Sequence, residues 1–189
     1  TKSMLPYFGK VERPLVIVSV GGSTEHHQLA PDQRYALYQR VAQSLSELDS
    51  KDVEILPQTL PPFPWYFGGQ RFSNIFVDAE DIVRYCTEFS QRVCLDISHS
   101  ALTTNERRTD FRDFVRQVGP YTGHLHIVDA GGVDGEGLQI GDGDIDFEGL
   151  AQDLASLAPE ASFIPEIWQG HRNSGEGFWV ALDRLEEWF

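Results

Sequence analysis

Acidic and imidazole side chains recur in one setting in this sequence, at the ends of short apolar runs. Asp96 closes one such run and His99 lies three residues further on, while His126 and Glu166 lie in two later runs. Carboxylate and imidazole groups together bind divalent metal ions, and such ions act on oxygen-rich substrates. Because the sequence has no serine-elbow or reactive-cysteine motif, a metal-dependent reaction is the chemistry that these residues indicate.

Asp96 and His99 have two interpretations. A carboxylate at the end of a buried strand and an imidazole three residues later can face one point. There the carboxylate anchors a metal, and the imidazole binds the metal or a substrate hydroxyl. Alternatively, Asp96 caps the following turn and His99 is an ordinary loop residue.

His126 and Glu166 both need partners if they are buried. His124 and His126 share one face of a strand, and two histidines close to Asp129 favour a functional role over that of a core histidine. Glu166 lies in a strongly apolar strand, where an unpaired carboxylate is costly. A metal ion is the partner that we expect for Glu166, and an arginine is the alternative.

The apolar runs alternate with amphipathic segments along the whole chain. Near-continuous apolar runs indicate strands buried on both faces, and apolar spacings of three and four residues indicate helices. Strict alternation of strands and helices predicts a parallel sheet. Five such units form either an open sheet or the last five units of an eightfold barrel. The predicted strands are 15–20, 53–56, 93–97, 124–128 and 162–167, and the predicted helices are 32–48, 78–89, 109–118, 147–157 and 177–189.

The bulk composition argues against several classes of partner. The chain has 189 residues, of which 41% are hydrophobic, enough for one globular domain. Its net charge of −14 predicts no nucleic-acid and no membrane partner, since both need a basic surface. No apolar run approaches the ~20 residues of a membrane span. Two cysteines in apolar stretches indicate buried thiols of a cytoplasmic protein.

Two loops and one histidine are further candidates. Segment 57–77 is rich in prolines and aromatic residues, and its Trp65 stacks on a sugar ring or helps to plug one end of the fold. His171 follows the last predicted strand and is either a substrate contact or an ordinary loop residue. The glycine-rich stretch 131–143 has the composition of a lid or of a tight multi-turn loop. Asp134 and Glu136 within it are functional residues or, by default, part of a solvated acidic loop.

Four motifs, in their order along the chain, resemble one known family. They are LDxxH at 95–99, HxHxxD at 124–129, GxGDIDF at 141–147 and PEI at 165–167. This combination resembles the sugar isomerase/epimerase superfamily of xylose isomerase-like TIM barrels, which includes endonuclease IV. Two longer segments, PPFPWYFGGQ at 61–70 and FIPEIWQGH at 163–171, are similar to barrel proteins encoded with sialic-type sugar biosynthesis.

The resemblance implies a parallel α/β barrel of the TIM type with one divalent ion, Mn, Mg, Co or Zn, at its carboxyl-terminal face. Members of this family take the ligands Glu, Asp, His and Glu from the ends of strands five to eight. The corresponding residues here are Gln58, Asp96, His126 and Glu166, and His99 corresponds to the substrate-contacting histidine.

Gln58 departs from the family pattern, which has a glutamate at this position. A neutral amide is a weaker ligand for a hard cation and cannot act as a general base, although it can still contact a substrate. The family's reaction removes a proton beside a sugar carbonyl and stabilises an enediolate with metal-bound oxygens. With Gln58 in place of glutamate, the resemblance implies that Glu166 is the one catalytic carboxylate and that His99 is the second catalytic residue.

The resemblance also aligns the first strand with the family's fourth. We therefore expect residues 1–189 to be a single partial barrel domain covering the last five β/α units. Its two exposed strand edges would be covered by a second copy or by a missing N-terminal segment. The expected function is a metal-dependent isomerase or epimerase of a polyhydroxylated, sialic-acid-related sugar. The alternative is a catalytically impaired module with a binding or structural role in a larger sugar-biosynthesis protein.

Overall fold

Five parallel strands form the centre of the fold. The computed structural model describes residues 13–66 and 69–189, and for the hairpin residues 65, 66, 69 and 70 it describes the backbone. A parallel bridge between Gln58 and Cys94 joins two sheets into one array, in the order β1-β3-β7-β8-β11. These strands are β1 (Leu15–Val18), β3 (Glu54–Pro57), β7 (Val93–Asp96), β8 (Thr122–Ile127) and β11 (Ser162–Pro165). The array is the predicted partial barrel, and within the described residues it does not close.

Helices follow each strand of the array, as the alternation predicts. They are α1 (Pro31–Ser46), α2 (Ala79–Phe89), α3 (Ile97–Arg107), α4 (Phe111–Val118), α5 (Phe147–Leu157) and α6 (Arg172–Leu185). No helix among the described residues is long and apolar enough to cross a membrane. Three short antiparallel pairs decorate the loops: β2 (Ser23–Thr24) with β6 (Phe72–Ser73), β4 (Trp65–Tyr66) with β5 (Gly69–Gln70), and β9 (Asp129–Gly131) with β10 (Gly135–Leu138).

Helix α3 is a helix that the sequence patterns do not predict. It begins directly at the end of β7, because the Asp96 side chain accepts a hydrogen bond from the backbone N–H of His99 at 2.9 Å. A carboxylate at this position satisfies a free N–H of the first helical turn. His99 is therefore a residue of the first turn of a helix, and the interpretation of it as a loop residue is wrong.

Alternation along β7 and β8 separates the core from the polar face. Leu95 and Leu125 are register partners, are buried, and belong to the apolar cluster that α2, α4 and α5 complete. Burying each such side chain contributes about 1.5–3 kcal/mol. Asp96 and His126, the next register pair along, alternate with these leucines and occupy the other face of the sheet.

Asp129 organises the glycine-rich loop that follows β8. Its carboxylate is fully buried and accepts hydrogen bonds from four backbone N–H groups. A Cβ at Gly143 would lie 2.4 Å from the Asp129 carboxylate, and Gly141 has a φ of +84°. The glycines are therefore needed for the loop to wrap around this carboxylate, and the four donors are those of Ala130, Gly141, Gly143 and Ile145.

We expect Asp129→Ala to lower the free energy of unfolding by about 3 kcal/mol, because buried N–H groups lose their acceptor. Urea unfolding followed by circular dichroism measures this change. Asp134→Ala is the control, since that exposed residue lies in the same stretch and should change stability by less than about 0.5 kcal/mol. Equal effects of both substitutions would contradict a loop-organising role for Asp129.

The outer edge of β11 exposes apolar side chains. Phe163 is 40% and Ile164 is 44% exposed, and successive strand residues point to opposite faces. Among the described residues, β11 pairs with β8 alone. An open, apolar edge strand is a template for pairing with another chain.

The isolated chain should therefore associate as its concentration rises, and Ile164→Lys should reduce this association, because a charge blocks edge pairing. Sedimentation velocity across a concentration series measures it. Val133→Lys is the matched control, since Val133 is 45% exposed and lies away from this edge. If both lysines reduce association equally, net charge and not the strand edge is responsible.

Candidate metal centre

Four neighbouring strands bring the predicted ligand residues to one edge of the array. Gln58 directly follows β3, Asp96 ends β7, His126 lies in β8, and Glu166 directly follows β11. Asp96 and His126 are register partners, and Ile164, two residues before Glu166, is the partner of His126 on its other side. Parallel strands end at a common edge, so residues distant in sequence converge there.

The His126 imidazole lies between two carboxylates. Its Nδ1 atom is 2.6 Å from Glu166 Oε2 and 3.5 Å from Asp96 Oδ2. One ligand atom from each of these three residues lies within 4.8 Å of the others. The Asp96 side chain is 1% exposed and that of Glu166 is 51% exposed. The cluster thus has a buried base and a side open to solvent.

Charge balance in this cluster favours a cation. Burial alone would lower the pKa of His126, but hydrogen bonds, with the Asp96 carboxylate as the strongest and Glu166 among the others, outweigh it and raise that pKa to about 12. A proton on Nδ1 is then held between two negative groups. A divalent ion takes the place of such a proton when it binds deprotonated ligands. Two carboxylates and one imidazole nitrogen are a donor set that fits a divalent metal ion.

Asp96 uses its two oxygens for two purposes. Oδ1 caps helix α3 at the His99 N–H, and Oδ2 faces Gln58 and His126. Burial would raise the pKa of Asp96, but the neighbouring His99 and His126 imidazoles outweigh burial and lower it. Thr59 holds this strand end in place, because its hydroxyl accepts the Asp96 backbone N–H at 2.9 Å. The capping and metal-binding interpretations of Asp96 are therefore compatible.

Gln58 is buried beside the cluster with its amide nitrogen toward it. Nε2 donates to Asp96 Oδ2 at 2.7 Å and lies 3.0 Å from His126 Nδ1. Oε1 accepts from the Ser19 hydroxyl at 3.3 Å. A half turn of the amide would bring Oε1 to the cluster and Nε2 to Ser19, whose hydroxyl can also accept. In the orientation present, Gln58 is a hydrogen-bond donor to Asp96, while a protonated His126 Nδ1 cannot accept from it.

His99 is held by acceptors on both ring nitrogens. Nδ1 lies 2.8 Å from the Thr59 carbonyl oxygen and Nε2 lies 3.2 Å from Glu136 Oε1. Burial lowers the pKa of His99, but the charges of Asp96 and Glu136 raise it to about 9. The imidazole therefore carries both protons at neutral pH, and both of its N–H groups have acceptors.

Glu136 is a neighbour of His99, a contact that the sequence patterns do not predict. Its one signal is its place as an acidic residue in the glycine-rich stretch after β8, where a solvated side chain is the default. The structure forms a β-hairpin, β9–β10, from this stretch. The hairpin brings Glu136 over His99, although 37 residues separate them along the chain.

A cavity of about 640 Å³ opens beside His99, a size that suits a small polar ligand. Serines after β1 and the proline-rich loop form part of its wall, and Trp168, Asp134 and Glu136 form another part. A second cavity of about 660 Å³ lies among helices α1 to α4. Its walls contain none of the predicted site residues. His99 lines the first cavity and lies 3.3 Å from Asp96, so we assign the site to the first cavity.

The remaining predicted contacts fall outside this geometry. His171 is exposed directly before α6, and within the described part of the chain it does not line the cavity. The backbone of Trp65 pairs with Gln70, while its side chain lies outside the described residues. Trp168, which sequence patterns do not select, lines the cavity. For Trp65 and His171, substrate contact stays a prediction.

Solved structures with the same fold include sugar epimerases. The chain is similar to a D-tagatose 3-epimerase-like protein, with 19% identity and a TM-score of 0.60 over 92% of this chain. It is also similar to D-psicose 3-epimerase from Clostridium cellulolyticum H10, solved with D-tagatose, with 14% identity and a TM-score of 0.62 over 93% of this chain. The chain spans 64% of the length of each of these two proteins.

A third similar structure carries a different activity. The probable 3-DHS dehydratase AsbF of Bacillus anthracis, involved in petrobactin synthesis, has 14% identity and a TM-score of 0.65, over 98% of this chain and 67% of its own. At these identities the likeness shows the fold alone. A comparison with curated protein sequences gives no match. The sequence profile of one family, however, matches residues 2–187, and the chain therefore belongs to the xylose isomerase-like TIM barrel family.

Proposed function

We propose that this chain binds one divalent metal ion through Asp96, His126 and Glu166 and serves as an isomerase or epimerase domain for a polyhydroxylated sugar. The observation that carries this proposal is the convergence of two carboxylates and one imidazole within 4.8 Å at the carboxyl ends of three strands. The neighbouring His99 connects this cluster to the cavity that it lines. The resemblance to sialic-type barrel proteins supports a substrate from that group of sugars.

The protein's own residues define separate roles in such a reaction. A bound divalent ion would polarise substrate oxygens and so make a neighbouring C–H group more acidic. Glu166 lies on the open side of the cluster and is the carboxylate that can take and return this proton. His99 would donate an N–H group to a substrate oxygen once that oxygen replaces Glu136.

Gln58 bears on whether the reaction is an epimerisation or an isomerisation. Epimerisation by two bases removes a proton from one face of a carbon and returns a proton to the other face. Isomerisation can use one base, which moves a proton between neighbouring carbons on the same face. The two bases of the family pattern correspond to positions 58 and 166. Because Gln58 cannot accept a proton, Glu166 is the one base of this pair, and we therefore favour isomerisation. The same substitution supports the second candidate function, a catalytically impaired module that binds a metal or sugar.

We also propose that further strands, with their helices, cover both open edges and complete the barrel. The exposed Phe163 and Ile164 on opposite faces of β11 support this proposal, since both faces of a closed barrel strand are covered. A second copy of the chain is the alternative source of such strands.

Glu166→Gln should weaken Mn²⁺ binding by at least about tenfold, because a neutral amide replaces an anionic ligand. Isothermal titration calorimetry at neutral pH measures the affinity. Glu166 is half exposed, so the substitution should leave the fold intact. Asp96→Asn, which keeps an oxygen for the helix cap, should weaken binding to a similar extent.

Glu160→Gln is the control for charge, since this exposed glutamate lies outside the cluster and should leave the affinity unchanged. Failure of the unmodified chain to bind Mn²⁺, Co²⁺ or Zn²⁺ would overturn the proposal of a metal-dependent enzyme.

Gln58→Glu should strengthen Mn²⁺ binding by about tenfold and increase exchange of sugar C–H protons with solvent, because a second base is restored. Incorporation of deuterium from D₂O into D-tagatose or D-fructose, followed by NMR, measures the exchange. Exchange by the unmodified chain that disappears in Glu166→Gln supports the enzyme. Metal binding without any exchange in the unmodified chain supports the impaired module.

A further inference from the structure

The cavity beside His99 is lined by acidic residues but by no lysine or arginine among the described residues. The two acidic residues are Asp134 and Glu136. The Glu136 carboxylate contacts His99, while Asp134 is exposed and makes no ion pair with any described residue. Because Glu136 is paired with the His99 imidazole, the unpaired Asp134 carboxylate gives this wall a net negative charge, which disfavours an anionic ligand there.

The hairpin that carries these carboxylates is anchored over the cavity. Gly137, next to Glu136, accepts the Trp168 N–H through its carbonyl oxygen at 2.9 Å, and its own N–H donates to the Ser98 hydroxyl at 3.4 Å. Its φ is +74°, and a Cβ there would lie 3.0 Å from the Trp168 side chain. The backbone beside Glu136 thus requires glycine, and its contacts fix the position of the hairpin that carries the carboxylate.

Other lining residues of the cavity offer neutral hydrogen-bonding groups. Ser19, Ser23 and Ser73 are among them. The Ser73 hydroxyl is buried and has no hydrogen-bond partner among the described residues. A buried hydroxyl without a partner costs free energy unless a ligand or water satisfies it. Hydroxyl groups of a sugar are suitable partners for these groups.

From these observations, and resting on the function proposed above, we propose that the cavity selects its substrate by charge. It accepts uncharged or positively charged polyhydroxylated molecules and rejects phosphorylated or carboxylated sugars, with Asp134 and Glu136 as the specificity-determining residues. Within the sialic-type sugars, the substrate would then be a neutral sugar or amino sugar and not the sialic acid itself.

Three probes with one carbon skeleton test this proposal: D-fructose, D-fructose 1-phosphate and D-fructose 6-phosphate. We expect the chain to bind D-fructose at least about fivefold more tightly than either phosphate, a difference typical of one charge pair at the protein surface. High salt should reduce the difference by screening. Titrations use both metal-free and Mn²⁺-loaded protein, because a phosphate can bind the ion directly. The proposal requires the same ranking of the three sugars in both forms.

Charge-removing variants separate selection from other effects. Asp134→Asn and Glu136→Gln should each improve binding of the phosphates relative to D-fructose by at least about threefold. Binding of D-fructose itself should change little in Asp134→Asn, whereas Glu136→Gln also alters the contact with His99. Asp134 does not contact His99, so its variant tests charge alone. Glu160→Gln removes the same charge at a distance and should leave the ranking unchanged.

The outcomes distinguish this proposal from the proposed function. Equal or tighter binding of the phosphates by the unmodified chain, or a ranking that neither variant alters, overturns charge selection and leaves the metal centre standing. Failure of all three sugars to bind, with Mn²⁺ binding intact, overturns both the sugar-converting function and the selection proposed here.

Discussion

Both the fold and the candidate site depend on a single carboxylate, that of Asp96. One of its oxygens begins helix α3 by accepting the His99 N–H, and the other faces His126 and Gln58. The helix therefore starts within the strand end that carries the site, which places the His99 side chain 3.3 Å from the same carboxylate. Removing this carboxylate would disturb the helix, the histidine and the ligand set together.

Electrostatics explains why a cation is the natural complement of this arrangement. Asp96 is almost fully buried, and a buried anion is stable only when it is paired. Without a metal ion, protons on His126 and His99 supply the positive charge, which is why both histidines have raised pKa values. With a divalent ion, the two carboxylates of Asp96 and Glu166 balance its charge, and His126 becomes a neutral ligand.

The sequence allowed much of this to be predicted, because strand periodicity and strand-end chemistry are local signals. All five strands of the array and the cluster of Asp96, His126 and Glu166 follow from apolar runs, residue types and the family resemblance. Helix α3 does not, since its polar composition hides a helix that a single side-chain cap initiates. The contact between Glu136 and His99 does not either, because it depends on a hairpin formed by the glycine-rich stretch.

Gln58 connects the charge of the cluster with that of the cavity. A glutamate there, as in the family pattern, would add a third carboxylate and leave the metal-bound cluster negative. With Gln58 the metal-bound cluster is neutral, so the negative charge near the substrate comes chiefly from the hairpin carboxylates of Asp134 and Glu136. On the proposal above, selection by charge then lies with the hairpin and not with the residues that would hold the ion. Affinity for the ion and selection of the ligand can then change independently, since different elements carry them: the strand ends for the ion, and the β9–β10 hairpin for the ligand.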